Sequence, residues 1–292
     1  MKYRKCNLCG SEEVKNRFKI NDFSIVRCRK CGLEYVNPIL EEKDIQEIYQ
    51  KGYFNGFKKD NFFGYQDYAQ DEIEINRTFQ RKMRIIDKLM PDKGKILDIG
   101  CAMGFFINVA KEDGWEVTGI DLSEEAIKYA KKRFNYDVRC TSLDKAGFKG
   151  ASFDVITMFD LIEHVEYPDL LIKQCYGLLK PNGLLVITTP NSGSVVAKLL
   201  SKRWEEYKRA REHIFFFSRK TLTDMLVKNR FKVVKSHTAG RYFQIRSFFS
   251  RLKANSKHLS NALVKFGDFI KINNKVIYVD PKYKMTLYAK KL

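Results

Sequence analysis

The sequence predicts an α/β fold, a doubly wound and mostly parallel sheet with a small N-terminal unit, and three observations carry that prediction. Residues 95–121, KILDIGCAMGFFINVAKEDGWEVTGID, read as strand, glycine turn, helix, strand and acid. Beyond them, short apolar runs alternate with amphipathic segments to about residue 237, as expected of parallel strands joined by helical crossovers. Ahead of them, Cys6-x-x-Cys9 and Cys28-x-x-Cys31 lie 18 residues apart, inside the roughly 15–20-residue spacing of a zinc ribbon.

The chain has 292 residues, 44% hydrophobic and 30% charged, enough for one large domain and a small one. No apolar run approaches the roughly 18 residues of a membrane span, and MKYRKCNLCG lacks a signal peptide's apolar stretch, so a cytoplasmic chain is expected. A formal charge of +19 favours anionic partners: nucleic acid, nucleotide-linked sugars or acidic lipid headgroups.

Taken in order, residues 1–38 are the ribbon, with Gly10 and Gly32 placed for the positive φ that aims two thiolates at one metal. Two disulfides would suit a secreted chain instead. Cys101, Cys140 and Cys175 have no metal spacing and read as small buried apolar residues. Residues 39–92 combine an aromatic arm (Tyr49, Tyr53, Phe54, Phe57, Phe62, Phe63, Tyr65, Tyr68) with a helix over 71–90 that sets Phe79, Met83, Ile86 and Met90 on one face. In residues 93–292, Ile96, Leu97 and Ile99 form the first strand, Gly104 opens a helix to Ala110, and a strand over 115–120 leads to Asp121. Ser123 caps a helix to Arg133, and strands are expected at 136–139 and 153–159. A helix over 169–179, a Pro181-Asn182-Gly183 turn and a strand over 184–189 follow, then a helix over 219–228 and a strand from Phe231. Residues 241–275 read as a basic helical insertion, Ile245, Phe249, Leu252 and Leu259 alternating with Arg246, Arg251, Lys253 and Lys257, before a last strand over 284–289. Its residues 241–272 suit an anionic membrane, a substrate's phosphates, or a cap over the site.

The glycines and acids indicate the ligand. A dinucleotide site would read G-x-G-x-x-G against a pyrophosphate. Here the order is Asp98-x-Gly100-x-x-x-Gly104, with a carboxylate that repels phosphate and suits an ammonium group. S-adenosylmethionine has an ammonium and no phosphate. In these residues the chain resembles the class I S-adenosylmethionine-dependent methyltransferases, whose first motif reads D-x-G-x-G-x-G, with Ala102 in place of the middle glycine. The resemblance implies a Rossmann-like seven-stranded sheet and a cofactor site at Asp98, Gly100, Gly104, Asp121, Leu122, Ser142 and Asp160, with Asp121 on the ribose. Asp160-Leu161-Ile162-Glu163-His164-Val165 looks like the family's D-x-x-x-H segment beside the transferred methyl.

Cys31-Gly32-Leu33-Glu34-Tyr35-Val36-Asn37-Pro38 and Glu212-His213 with Phe216-Phe217-Ser218 resemble a narrower subgroup, which pairs a zinc ribbon with this domain and includes sugar C-methyltransferases of glycan pathways. That resemblance implies His213 as the base that deprotonates the acceptor, Glu212 orienting it, and His164 as a second candidate. The expected function is methyl transfer to oxygen or carbon of a sugar, nucleotide-sugar or other small glycan-pathway acceptor, with S-adenosylmethionine as cofactor and a structural Zn2+ on Cys6, Cys9, Cys28 and Cys31. RNA methylation is the first alternative and non-catalytic cofactor binding the second; no Asn-Pro-Pro-Tyr-like segment follows the fourth strand, and Asp98 and Asp121 are both present.

Overall fold

A computed structural model describes residues 1–40, 71–246, 263–266, 268, 272–273 and 275–292. The aromatic arm lies outside the described residues, as does most of the basic stretch after residue 246.

Three antiparallel strands open the chain: β1 (Val14–Ile20), β2 (Phe23–Cys28) and β3 (Glu34–Val36). One cysteine turn precedes β1 and the other joins β2 to β3, with Gly10 and Gly32 at φ 73° and 81°, the left-handed conformation expected there. Helix α1 (Glu72–Leu89) leads into β4 (Lys95–Ile99), α2 (Phe105–Glu112), β5 (Glu116–Asp121), α3 (Glu124–Phe134) and β6 (Asp137–Cys140). Then come β7 (Phe153–Phe159), α4 (Pro168–Leu178), β8 (Leu179–Pro190), and the short helices α5 (Val195–Leu200) and α6 (Glu205–Lys208). Next are β9 (Phe215–Phe216), α7 (Arg219–Lys228), β10 (Phe231–Thr238), β11 (Arg241–Gln244), β12 (Val276–Val279) and β13 (Lys284–Lys291).

The expected sheet is present, seven strands in the order β10-β13-β8-β7-β4-β5-β6. β6, β5, β4, β7 and β8 are parallel; β13 and β10 close the other edge antiparallel. Helices cover both faces, which is why β4 buries Ile96, Leu97 and Ile99 without alternation. The chain leaves β4 toward β5 and β6, then returns to β7 on the opposite side. That reversal opens a crevice at the carboxyl ends of β4 and β7, where ligands of doubly wound sheets bind. Ser123 caps α3 as expected, its Oγ accepting from Ala126 N at 3.2 Å.

Three local expectations change. The Pro181-Asn182-Gly183 turn is a bulge inside β8, between the pairs Phe153↔Leu179 and Val155↔Leu184. The insertion begins as a strand, because Arg241–Gln244 finds a partner in Val276–Val279 and sets Tyr242 edge-on to Tyr278 at 5.2 Å between ring centroids. Cys140 is exposed, since β6 is the sheet's edge and buries Val138 alone.

The ribbon's sheet has a fourth strand from far along the chain: β9 pairs with β3 through Tyr35↔Phe215 and Glu34↔Phe216. Tyr35, Ile25 and Cys28 share one apolar core with Phe215, Phe217, Leu222 and Met225. The ribbon is thus packed on the loop that carries Glu212 and His213.

Candidate active site

The cofactor crevice is built by the turn after β4. Asp98 is 3% exposed, and its Oδ1 accepts from Thr157 Oγ1 of β7 at 2.6 Å. Burial, reinforced by the Asp121 carboxylate, pushes the Asp98 carboxyl up to about 8 against the Thr157 bond. Such a group gains by meeting a cation. Gly100, Ala102 and Gly104 all have positive φ, 76°, 47° and 80°, so Ala102 keeps the left-handed geometry of the glycine it replaces, at a cost of about 1 kcal/mol. A Cβ on Gly100 would come within 3.1 Å of Leu161 Cδ1, so the glycine lets this turn close on the loop after β7. Asp121 ends β5 with Oδ2 accepting from Ala102 N and Oδ1 from Ser123 N, both at 2.9 Å. Each oxygen keeps a lone pair for a hydroxyl. Carboxylates at both ends suit a ligand with an ammonium group and a ribose diol and oppose a pyrophosphate. Leu122, 58% exposed, offers an apolar face beside Asp121, and Ser142 is half-buried after β6.

The other half of the crevice follows β7. Burial is the largest influence on Asp160 and would raise its carboxyl, but Lys284 Nζ at 2.9 Å, with Lys82 and His164, holds it below the ordinary range. Glu163 is 1% exposed and accepts from Thr189 Oγ1 at 2.9 Å; burial and Asp160 push it up to about 8. His164 Nδ1 lies 3.0 Å from the Glu212 carbonyl oxygen, and burial lowers the ring to about 4. His213 is 2% exposed, its ring 4.5 Å from that of His164 at 90°, and burial puts it well below its ordinary value. Both imidazoles are therefore neutral near pH 7. Backbone bonds hold the 212–214 loop here: Ile214 N donates to Glu163 O at 2.8 Å, and Val36 N of the ribbon to Ile214 O at 2.9 Å.

The structure brings His164, Glu212 and His213 together, but with different partners from those expected. The Glu212 carboxylate faces Arg209, whose Nε lies 3.0 Å from its Oε1. The carboxylate at the His213 ring belongs to Glu206, Oε2 lying 3.3 Å from Nδ1. Sequence reasoning missed Glu206, which carries no spacing signal, and passed over Glu163 inside a motif it had singled out. It also missed Lys82, 8% exposed, which donates to Thr188 Oγ1 at 2.8 Å and which burial lowers to about 8. A lysine beside Phe79, Met83 and Ile86 on an apolar helix face was the available signal.

In the ribbon, Cys6 and Cys31 Sγ lie 3.4 Å apart, Cys9 and Cys28 Sγ 3.5 Å, and all four within 4.8 Å of one another. Four thiolates at about 2.3 Å from a tetrahedral zinc would be about 3.8 Å apart, so the residues fit that ion.

Comparison with known proteins agrees with this geometry. Residues 70–236 match the family described as "Methyltransferase domain". A ubiquinone biosynthesis O-methyltransferase of Coxiella burnetii is 34% identical over 116 residues, 38% of this chain and 50% of that protein; the chain spans about half the length of the curated relatives it matches. Among solved structures, phosphoethanolamine N-methyltransferase 2 of Haemonchus contortus, in complex with S-adenosyl-L-methionine, superposes with a TM-score of 0.54 at 16% identity, covering 88% of this chain and 61% of that one. A SAM-dependent methyltransferase from Archaeoglobus fulgidus gives 0.51 at 20% identity, covering 77% and 100%. These likenesses place the fold, and the family match spans more than half of the chain: it belongs to the methyltransferase-domain family, with a class I S-adenosylmethionine-dependent methyltransferase domain at residues 70–236.

Proposed function

We propose that the protein transfers a methyl group from S-adenosylmethionine to a hydroxyl oxygen of a small acceptor, and that a glycan-pathway sugar is that acceptor. The observation that carries the reading is the contact of two half-sites. The carboxylate-lined turn Asp98–Asp121 meets, through Gly100 and Leu161, the loop after β7 that bears His164, whose neutral ring packs on the neutral, buried ring of His213. Bound there, S-adenosylmethionine supplies an activated methyl; the chain's task is to orient the partners and relieve the acceptor of a proton. Asp121 would hold the ribose hydroxyls, Asp98 the ammonium group, and Leu122 and Ser142 the adenine side. Proton loss from the acceptor depends on the His164–His213 pair. The ribbon's Cys31–Pro38 segment supports the sugar. The similarity to ubiquinone biosynthesis O-methyltransferases supports methylation on oxygen and makes a phenolic acceptor the second reading. We also propose one structural zinc on Cys6, Cys9, Cys28 and Cys31, a set with no open position for chemistry.

The test is a transfer assay with S-adenosylmethionine against nucleotide-sugars, dihydroxyphenols and transfer RNA. Methylation of a sugar hydroxyl, with turnover in His213→Ala down by about 10² to 10⁴ and cofactor affinity nearly intact, is the expected result. Methylation of the phenol alone would move the acceptor to the second reading; methylation of RNA alone would end both.

A further inference from the structure

Besides the four thiolates of the ribbon, a second group of ligating side chains among the described residues lies at the acceptor end of the crevice. One carboxylate oxygen of Glu163, one ring nitrogen of His164 and one of His213 lie within 4.8 Å of one another. Two imidazoles and a carboxylate are a common donor set for a divalent first-row transition ion. We propose that Glu163, His164 and His213 bind one such ion, separate from the thiolate ion of the ribbon.

Two features of the surroundings support it. The ligands have the outer partners that metal ligands require. His164 Nδ1 is at hydrogen-bond distance from the Glu212 carbonyl oxygen. Thr189 Oγ1 donates to one Glu163 oxygen, and Glu206 sets a carboxylate 3.3 Å from His213 Nδ1. Second, the buried Glu212 Oε2 beside these groups lacks a hydrogen-bond partner among the described residues. A stranded carboxylate oxygen is costly, and a cation nearby offsets that cost.

The ion changes what His213 does. On the methyl-transfer reading, on which this clause alone rests, a divalent ion held there would polarise the acceptor oxygen and ease loss of its proton. His213 then serves as a ligand, where its sequence position suggests a free base. Its near-complete burial and the Glu206 carboxylate beside Nδ1 agree with that role.

The test reads ion binding alone, without cofactor or acceptor. Protein whose ribbon holds one zinc is titrated with Co2+, followed by calorimetry and by visible absorption. A second ion should bind one per chain, with weak d–d bands and none of the intense thiolate-to-cobalt absorption that exchange into the cysteine site would give. Glu163→Gln, His164→Asn and His213→Asn should each weaken it at least tenfold, and Glu206→Gln, which removes only an outer partner, by about 10- to 100-fold. Unchanged circular dichroism and S-adenosylmethionine affinity identify the variants that remain folded; His164, the least buried ligand, is the safest of them. No Co2+ beyond the ribbon's, or equal binding in wild type and in the folded variants, would overturn the proposal and leave the methyl-transfer reading standing. A failure of cofactor binding would do the reverse.

Discussion

The two halves of the crevice are built in opposite ways. On the cofactor side Asp98, Gly100, Ala102, Gly104 and Asp121 come from one βαβ unit, and apart from the Thr157 hydroxyl on Asp98 the bonds that set them are local: Ala102 N and Ser123 N to Asp121. On the acceptor side Glu163 and His164 follow β7, Glu206 lies on α6, Glu212 and His213 precede β9, and Lys284 opens β13. The bonds that hold it join residues distant in sequence, Thr189 to Glu163 and Val36 to Ile214. A short segment with one backbone path can carry its site in its spacing, whereas a site gathered from four segments exists only once the sheet has formed.

The comparison makes the two sides separable, and the largest effect should come from the ribbon. Zinc binding supplies on the order of 10 kcal/mol to small thiolate folds, so Cys28→Ser should lose the metal and melt the ribbon early. Because β3 pairs with β9 directly after His213, turnover should fall by about a hundredfold, the usual effect of misplacing a group by about 1 Å. Calorimetry should still find S-adenosylmethionine bound within about twofold of wild type, since no ribbon strand joins the seven-stranded sheet. Equal loss of affinity and turnover would show that the halves are not independent.

The converse experiment is Asp121→Ala. Removing a carboxylate that accepts from two backbone amides and would take the ribose hydroxyls should cost about 2 kcal/mol, roughly thirtyfold in cofactor affinity. Turnover at saturating cofactor should change far less. Affinity equal to wild type would remove Asp121 from the site.

What could be read in advance follows the same division. The fold, the seven-strand sheet and the glycine turn were legible because apolar runs and turn residues act over short spans: Ile96 and Leu97 are buried, and Ala102 keeps the glycine's φ. Pairings set by distant strands were not. Nothing around residue 206 announces that its carboxylate will reach His213 while Glu212 turns to Arg209, and nothing in Arg241–Gln244 names Val276–Val279 as the partner that makes it a strand. Lys82 was legible in part, as a charge on an apolar helix face, but its bond to Thr188 depends on β8 lying beneath α1.

The smallest effect should be at the seam itself. Tyr207 of α6 donates its hydroxyl to Glu34 Oε2 of β3 at 2.5 Å, both side chains are buried, and Arg17 Nε stands 3.1 Å from the other Glu34 oxygen. Tyr207→Phe keeps the ring, which packs on Phe18 at 5.1 Å and Trp204 at 4.9 Å, and removes only the donor. One carboxylate oxygen then lacks its hydrogen bond while Arg17 still pairs with the other, so stability should drop by about 1–3 kcal/mol. Denaturant unfolding measures that loss. Tyr207 is on the same short helix as Glu206, so any shift it allows should reach His213 and lower turnover a few-fold, without touching the β4 turn that would hold the cofactor. A Tyr207→Phe enzyme with weakened S-adenosylmethionine binding and wild-type turnover would reverse the assignment of the two sides.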